Sequence, residues 1–209
     1  MNDVMSLGSH RLYKKQAMKK CQKGNLLDLA AGTGDLAIHF RRQFSSDYSI
    51  TLVEPNSEML NYAKLRLAKK YIFDNIEYVT AYAEQLPFKD NTFDNVSIGF
   101  GLRNFTDKEQ ALHEIRRVLK PTGKLIVIDF SHPTNFIIRF LNSIYLKYFV
   151  PFFAKLFAGD TGEYKYLAES VAQHPSQSEI IQLMEKTGFK NCDYINKLNG
   201  VIAVHTAGK

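Results

Sequence analysis

Leu26-Leu27-Asp28-Leu29-Ala30-Ala31-Gly32-Thr33-Gly34-Asp35 decides the fold. The stretch reads as a short buried strand, a turn of small residues and the first turn of a helix. Small residues let backbone approach a ligand closely. Glu54 follows Gly34 by twenty residues, at the end of the next apolar run. An acid in that place can hold both hydroxyls of a ribose. Together these features predict a site for an adenosine-containing cofactor.

Two cofactor classes use such a turn. A dinucleotide site wants G-x-G-x-x-G, with a helix N-terminus facing a pyrophosphate. Here only Gly32 and Gly34 are present, Ala30 fills the first slot, and Asp35 follows at once. An acid there is expected to repel a pyrophosphate. Asp28, just before the turn, is placed to meet a cation. S-adenosylmethionine carries an ammonium and a sulfonium and no phosphate, so the charge pattern favours it.

Outward from the turn, strand and helix signals alternate. Strands are predicted over Leu26–Ala30, Tyr48–Val53, Ile76–Thr80, Phe93–Phe100 and Lys124–Phe130. Helices are predicted over Asp35–Phe44, Ser57–Lys70 and from a Thr106 or Asp107 cap to Leu119, with Lys120-Pro121-Thr122-Gly123 as the stop. After a helix near Ser176–Thr187, strands near Phe189–Asn196 and Val201–Thr206 close as an antiparallel pair. This alternation implies a doubly wound α/β fold: a seven-stranded, mostly parallel sheet with helices on both faces. A length of 209 residues suits a single domain, 1–209, with residues 1–23 as a lead-in.

Residues 135–170 break the rhythm. From Asn135 to Phe157 the chain is rich in Phe, Ile, Leu and Tyr, has no acid before Asp160, and is split by Pro151. Its charges and proline argue against a membrane span. It reads as two helices, either a cap on the sheet or a lid over an apolar substrate.

The bulk composition excludes several classes. Cys21 and Cys192 form no metal or redox motif and fit a reducing compartment. There is no Walker loop, no H-E-x-x-H and no clustered Cys/His set, so no metal is expected. The N-terminus lacks the apolar core of a signal peptide, which favours a cytoplasmic protein. The net charge of +6 includes a run from Arg11 to Lys23 with six cations and no acid. A solvated helix face is the default reading, and contact with an anionic membrane at its inner face is the alternative. No nucleic-acid motif accompanies the charge, so no nucleic-acid partner is expected.

Further runs extend the pattern: Met1 to Arg11, Ala83-Glu84-Gln85-Leu86-Pro87-Phe88, Phe100-Gly101-Leu102-Arg103-Asn104, Arg117-Val118-Leu119-Lys120-Pro121 and Tyr166-Leu167-Ala168-Glu169-Ser170. With the Asp28–Asp35 turn they resemble the ubiquinone/menaquinone biosynthesis C-methyltransferases, of the Rossmann-like class I S-adenosylmethionine-dependent fold. The resemblance spans essentially the whole chain. It implies methyl transfer from S-adenosylmethionine to a ring carbon of a polyprenylated quinol: demethylmenaquinol, 2-polyprenyl-6-methoxy-1,4-benzoquinol, or both. A prenyl tail favours the lid reading of 135–170. A homodimer or a complex of quinone-pathway enzymes is compatible with it.

The resemblance also implies residue roles. Thr33 with the Gly32 and Gly34 backbone faces the methionine moiety. Glu54 takes the ribose, Tyr82 and Ala83 border the adenine, Gly99 flanks the cofactor, and Asp28 orients the amino group. Arg103 and Asn104, after the fourth strand, stabilise and orient the quinol oxygen. His10, an imidazole that titrates near neutrality when unperturbed, is a second proton acceptor. The other histidines, His39, His113, His132, His174 and His205, read as structural. The sequence departs from the family pattern in several places. A Tyr-Asp pair upstream of Met1 is absent, Tyr13 replaces Trp, Tyr82 replaces Asp or Asn, Gly99 replaces Ser, and Asp129 replaces Glu. The competing readings are a methyltransferase for another lipophilic acceptor and a catalytically impaired binding or scaffold homologue.

Overall fold

In a computed structural model, residues 10–134, 170–171 and 173–209 are described. The elements are α1 (His10–Met18), β1 (Leu26–Leu29), α2 (Asp35–Gln43), β2 (Ile50–Val53), α3 (Ser57–Ala68), β3 (Ile76–Val79) and β4 (Phe93–Gly99). They continue with α4 (Lys108–Val118), β5 (Leu119–Phe130), α5 (Gln177–Lys186), β6 (Lys190–Lys197) and β7 (Ile202–Gly208). The strands form one seven-stranded sheet in the order β3-β2-β1-β4-β5-β7-β6. Strands β1 to β5 pair in parallel, while β7 runs antiparallel between β5 and β6. The expected doubly wound sheet with its closing antiparallel pair is therefore present.

Buried strands of a parallel sheet send alternate residues to opposite faces. Leu26, Ile126 and Ile128 join Phe40, Ala63 and Leu67 on the face covered by α1, α2 and α3. Leu27, Leu29, Leu125 and Val127 join Leu112, Ile115, Ile180 and Met184 on the face covered by α4 and α5. Helix starts follow their caps. Asn56 accepts from the Glu58 and Met59 amides, Asp107 from Gln110, and Ser176 with Glu179 forms a reciprocal capping box.

Some boundaries move by a residue or two. β1 stops at Leu29 because Ala30 adopts φ 50°, and α4 gives way to β5 directly at Leu119. The predicted lid at 135–170 lies outside the described residues except for Ser170, as do residues 1–9 of the lead-in. Among the described residues no helix is long and apolar enough to cross a membrane.

Candidate active site

A cavity of about 610 Å³ opens at the carboxyl ends of β1, β2 and β4. In an open α/β sheet, ligands bind at this edge, where the strand order reverses. The reversal here falls between β1 and β4. The turn Ala30–Thr33 forms one wall of the cavity, and Glu54, Tyr82 and Ala83 form another.

Local geometry fixes the turn. Gly34 sits at φ 75°, and a Cβ there would lie 2.7 Å from Leu67 Cδ1. Only glycine lets β1 swing into α2 while α3 packs this close. Gly101 plays a similar part opposite, since its Cβ would lie 2.5 Å from the Ala30 Cβ. Neither Gly34 nor Asp28 lines the cavity itself.

Glu54 is buried at the end of β2. Its Oε2 accepts from the Gly32 amide at 2.9 Å and its Oε1 from the Asn56 amide at 3.2 Å. These two bonds aim the carboxylate along the cavity wall and tie it to the glycine turn. Tyr82 stands at the rim, 70% exposed, while Ala83 is buried. Beside them Glu84 Oε1 accepts from the Thr106 and Asp107 amides, fastening the β3–β4 connection to the start of α4.

The two acids flanking the turn behave oppositely. Asp28 is 1% exposed and accepts from Ser97 Oγ at 2.8 Å and from the Ala37 amide at 3.2 Å. Burial pushes its carboxyl up to about 7, against the opposing pull of those bonds and of Lys14. It joins β1, β4 and the first turn of α2 behind the cavity wall. Asp35 lines the cavity. Burial pushes its carboxyl up, but Lys14 Nζ at 2.7 Å and Arg66 Nη1 at 2.5 Å outweigh this and hold it at about 2.

The repulsion expected between Asp35 and a pyrophosphate is therefore largely compensated by two cations, of which Lys14 comes from the lead-in helix. Selection against a dinucleotide falls instead to the missing third glycine and to the family assignment below. The cavity fits S-adenosylmethionine on its own terms. Glu54 presents an anchored carboxylate, a small-residue turn admits a close backbone approach, and the wall mixes polar groups with apolar side chains.

The other end of the cavity gathers His10, Phe100, Arg103 and Asn104. Phe100 has φ 61°, unusual for an aromatic residue, and this turns the chain from β4 into the 3₁₀ turn Leu102–Asn104. His10 is buried, edge-on to the Phe100 ring with centroids 6.1 Å apart. Arg103 Nη1 meets Asp129 Oδ1 at 2.5 Å, with the Arg103 and Asp129 side chains 5% and 1% exposed. The guanidinium also lies 5.4 Å from the Phe130 ring centre. Its Nε has no hydrogen-bond partner among the described residues. Asn104 is exposed at the cavity mouth.

Sequence reading had not singled out Lys14 and Asp129 as site residues. Asp129 had a signal: it is the lone acid in the apolar run Leu125–Phe130. The β4–β5 register pairs Gly99 with Ile128, which brings Asp129 beside Arg103. Lys14 had none, because its partner Asp35 is 21 residues away on another helix. Among the histidines read as structural, His174 and His205 are buried, and His132 Nε2 lies 2.7 Å from the His174 carbonyl.

The sequence profile of the ubiE/COQ5 methyltransferase family matches residues 1–209. The chain belongs to this family. A ubiquinone/menaquinone biosynthesis C-methyltransferase of Francisella tularensis subsp. novicida is 47% identical over 215 residues, covering 100% of this chain and 85% of the relative. One from Hahella chejuensis is 45% identical over 212 residues with the same coverage.

Solved structures agree on the fold. An S-adenosylmethionine-dependent methyltransferase from Aquifex aeolicus superposes with TM-score 0.68 at 18% identity, covering 99% of this chain and 96% of its own. The [4+2]-cyclase SpnF superposes with TM-score 0.71 at 16% identity, covering 95% and 81%. A cyclase on the same fold shows that architecture alone does not choose the chemistry. Family membership does, and it makes this protein a methyltransferase with S-adenosylmethionine as methyl donor. Among the described residues no group of three or more His, Cys, Asp or Glu is placed to hold a metal ion.

Proposed function

We propose that this methyltransferase methylates a ring carbon of a polyprenylated quinol, demethylmenaquinol or 2-polyprenyl-6-methoxy-1,4-benzoquinol. The observation that carries the reading is the buried Arg103–Asp129 pair at the cavity wall, beside Asn104 and across from the glycine turn. S-adenosylmethionine supplies an activated methyl group, so the protein's task lies with the acceptor. A quinol carbon becomes nucleophilic as its neighbouring hydroxyl loses its proton.

A guanidinium stabilises the developing phenolate charge, and most strongly away from water. Asp129 holds Arg103 by two bonds, from Nη1 and from the backbone amide, so the group needs no reorganisation during reaction. Asn104 hydrogen-bonds a quinol oxygen and orients the ring. His10, at the same end of the cavity, receives the hydroxyl proton; the ring carbon that gains the methyl then sheds its own hydrogen as a proton to water, and His10 returns a proton to the quinol oxygen. Glu54 takes the ribose, Thr33 and the Gly32 backbone border the methionine moiety, Tyr82 and Ala83 flank the adenine, and Gly99 lies beside the donor. Asp28 acts from behind, by holding α2 to the sheet.

A polyprenylated acceptor resides in the bilayer, which supports peripheral contact with an anionic membrane by the basic N-terminal helix. The testing experiment incubates the protein with methyl-labelled S-adenosylmethionine and each of the two demethyl quinols, then identifies the product. Label on a ring carbon is expected. Transfer to oxygen, or no transfer to either quinol while an unrelated lipophilic acceptor is methylated, overturns the reading.

A further inference from the structure

A second cavity, of about 380 Å³, lies between α1, α2 and α3, on the far side of Asp35 from the cofactor cavity. Arg11 from α1, His39 and Arg42 from α2, and Arg66 from α3 with Lys70 just beyond it line this space. Asp35 is the one carboxylate in its wall, and it is already engaged by Lys14 and Arg66. Arg42 and Lys70 are exposed, and neither side chain makes a hydrogen bond or ion pair among the described residues. Burial holds the His39 ring below its ordinary value, against the pull of Asp35 and with smaller help from Arg42, Lys14 and Lys15. Of its cations, Arg42 and Lys70 thus carry two positive charges that no group among the described residues neutralises.

Its rim is equally unusual. Tyr62 lines the cavity, and Leu65, three residues on, is 64% exposed. Tyr71, 88% exposed, and Phe73 follow directly after Lys70. Large apolar side chains next to unpaired arginine and lysine are the composition of a surface that rests at a lipid headgroup layer.

We propose that this cavity is a binding site for a phosphate group, with Arg42 and Lys70 as its principal ligands. Arginine forks suit the paired oxygens of phosphate, and lysine adds a point charge. The same chemistry is offered by an anionic lipid headgroup and by free phosphate. The exposed Leu65, Tyr71 and Phe73 side chains favour the headgroup. The site is independent of which quinol is methylated.

The full chain is tested in two arms: flotation with vesicles of phosphatidylcholine alone or with phosphatidylglycerol, and calorimetric titration with inorganic phosphate. R42A/K70A is compared with K89A/K190A, which removes the same charge elsewhere. S-adenosylmethionine binding checks that each variant is folded. Capture by the phosphatidylglycerol vesicles is expected, weakened about tenfold or more in R42A/K70A and little changed in K89A/K190A. Inorganic phosphate is expected to compete with capture of the unaltered protein, a readout that needs no variant. Phosphate binding without vesicle capture, lost in R42A/K70A, supports the site with free phosphate as its source. Binding of neither probe, or equal loss in both double variants, overturns the proposal.

Discussion

The two ends of the cavity are assembled differently. The end proposed for the cofactor is built around one local contact: Ala30 to Thr33 and Glu54 follow two neighbouring strands, and one hydrogen bond from Gly32 to Glu54 ties them together. The end proposed for the acceptor is composite. His10 comes from the lead-in helix, Phe100 to Asn104 from the end of β4, and Asp129 from β5. The cofactor end depends on backbone shape and tolerates exposed, solvated edges such as Tyr82. The acceptor end depends on a buried charge pair that fails if either member is removed.

The largest effect is expected at the composite end. D129A leaves the nearly buried Arg103 guanidinium without its carboxylate, a loss of about 3–5 kcal/mol of stability. Urea denaturation checks it, and D129E should recover much of the loss. An effect below about 1 kcal/mol would mean that water, and not Asp129, supports Arg103.

The next effect belongs to the local end. G34A forces a Cβ to 2.7 Å from Leu67 Cδ1 at φ 75° and should cost about 2–4 kcal/mol. Donor affinity should fall with it, because Gly34 sets the turn that carries Thr33. E54Q keeps the shape and removes the charge. S-adenosylmethionine binding is expected to weaken by about 1.5–3 kcal/mol, read by calorimetry, with a loss of folding stability of about 1–3 kcal/mol because the glutamine nitrogen cannot accept from the Gly32 or Asn56 amide.

The acids beside the turn give opposite pH signs. Asp28 has a folded-state value of about 7, above its unfolded 3.8, so the unfolded chain binds fewer protons between these values. Its contribution is fully present below about 4 and is lost as pH rises through 7, by up to about 4 kcal/mol. Asp35, at about 2, contributes stability that is lost as pH falls from 4 to 2. Denaturation at pH 5 and 8 should show the unaltered protein weaker at pH 8 and D28N nearly flat. Equal slopes would contradict the burial of Asp28 as the cause.

The smallest effect tests a family departure. A Cβ at Gly99 would lie 2.9 Å from Leu36 Cδ1 and 3.1 Å from its Cγ, with no backbone atom in the way, so a small shift of the Leu36 side chain admits it. G99S should therefore fold and restore the hydroxyl suggested by the family resemblance, strengthening donor binding by about 0.5–1.5 kcal/mol.

Most of the fold was legible because its signals are local. Apolar runs such as Leu125–Phe130 mark strands, and Asn56, Asp107 and Ser176 mark helix starts. The turn and Glu54 were legible for the same reason. Asp129 and Lys14 were not, because strand register and helix packing alone bring them to Arg103 and Asp35. The role first given to Asp35, repelling a phosphate, fails on that same ground: its charge is balanced by Lys14 and Arg66, cations distant in sequence.

R103K tests the division of the cavity most directly, since lysine keeps a cation opposite Asp129 but lacks the planar fork. Donor affinity is measured by calorimetry and quinol methylation by label transfer. We predict an S-adenosylmethionine Kd within about threefold of the unaltered protein and a methylation rate lower by about a hundredfold. An unchanged rate, or donor affinity falling as far as the rate in a folded variant, would contradict a cavity with one end for the methyl donor and one for the acceptor.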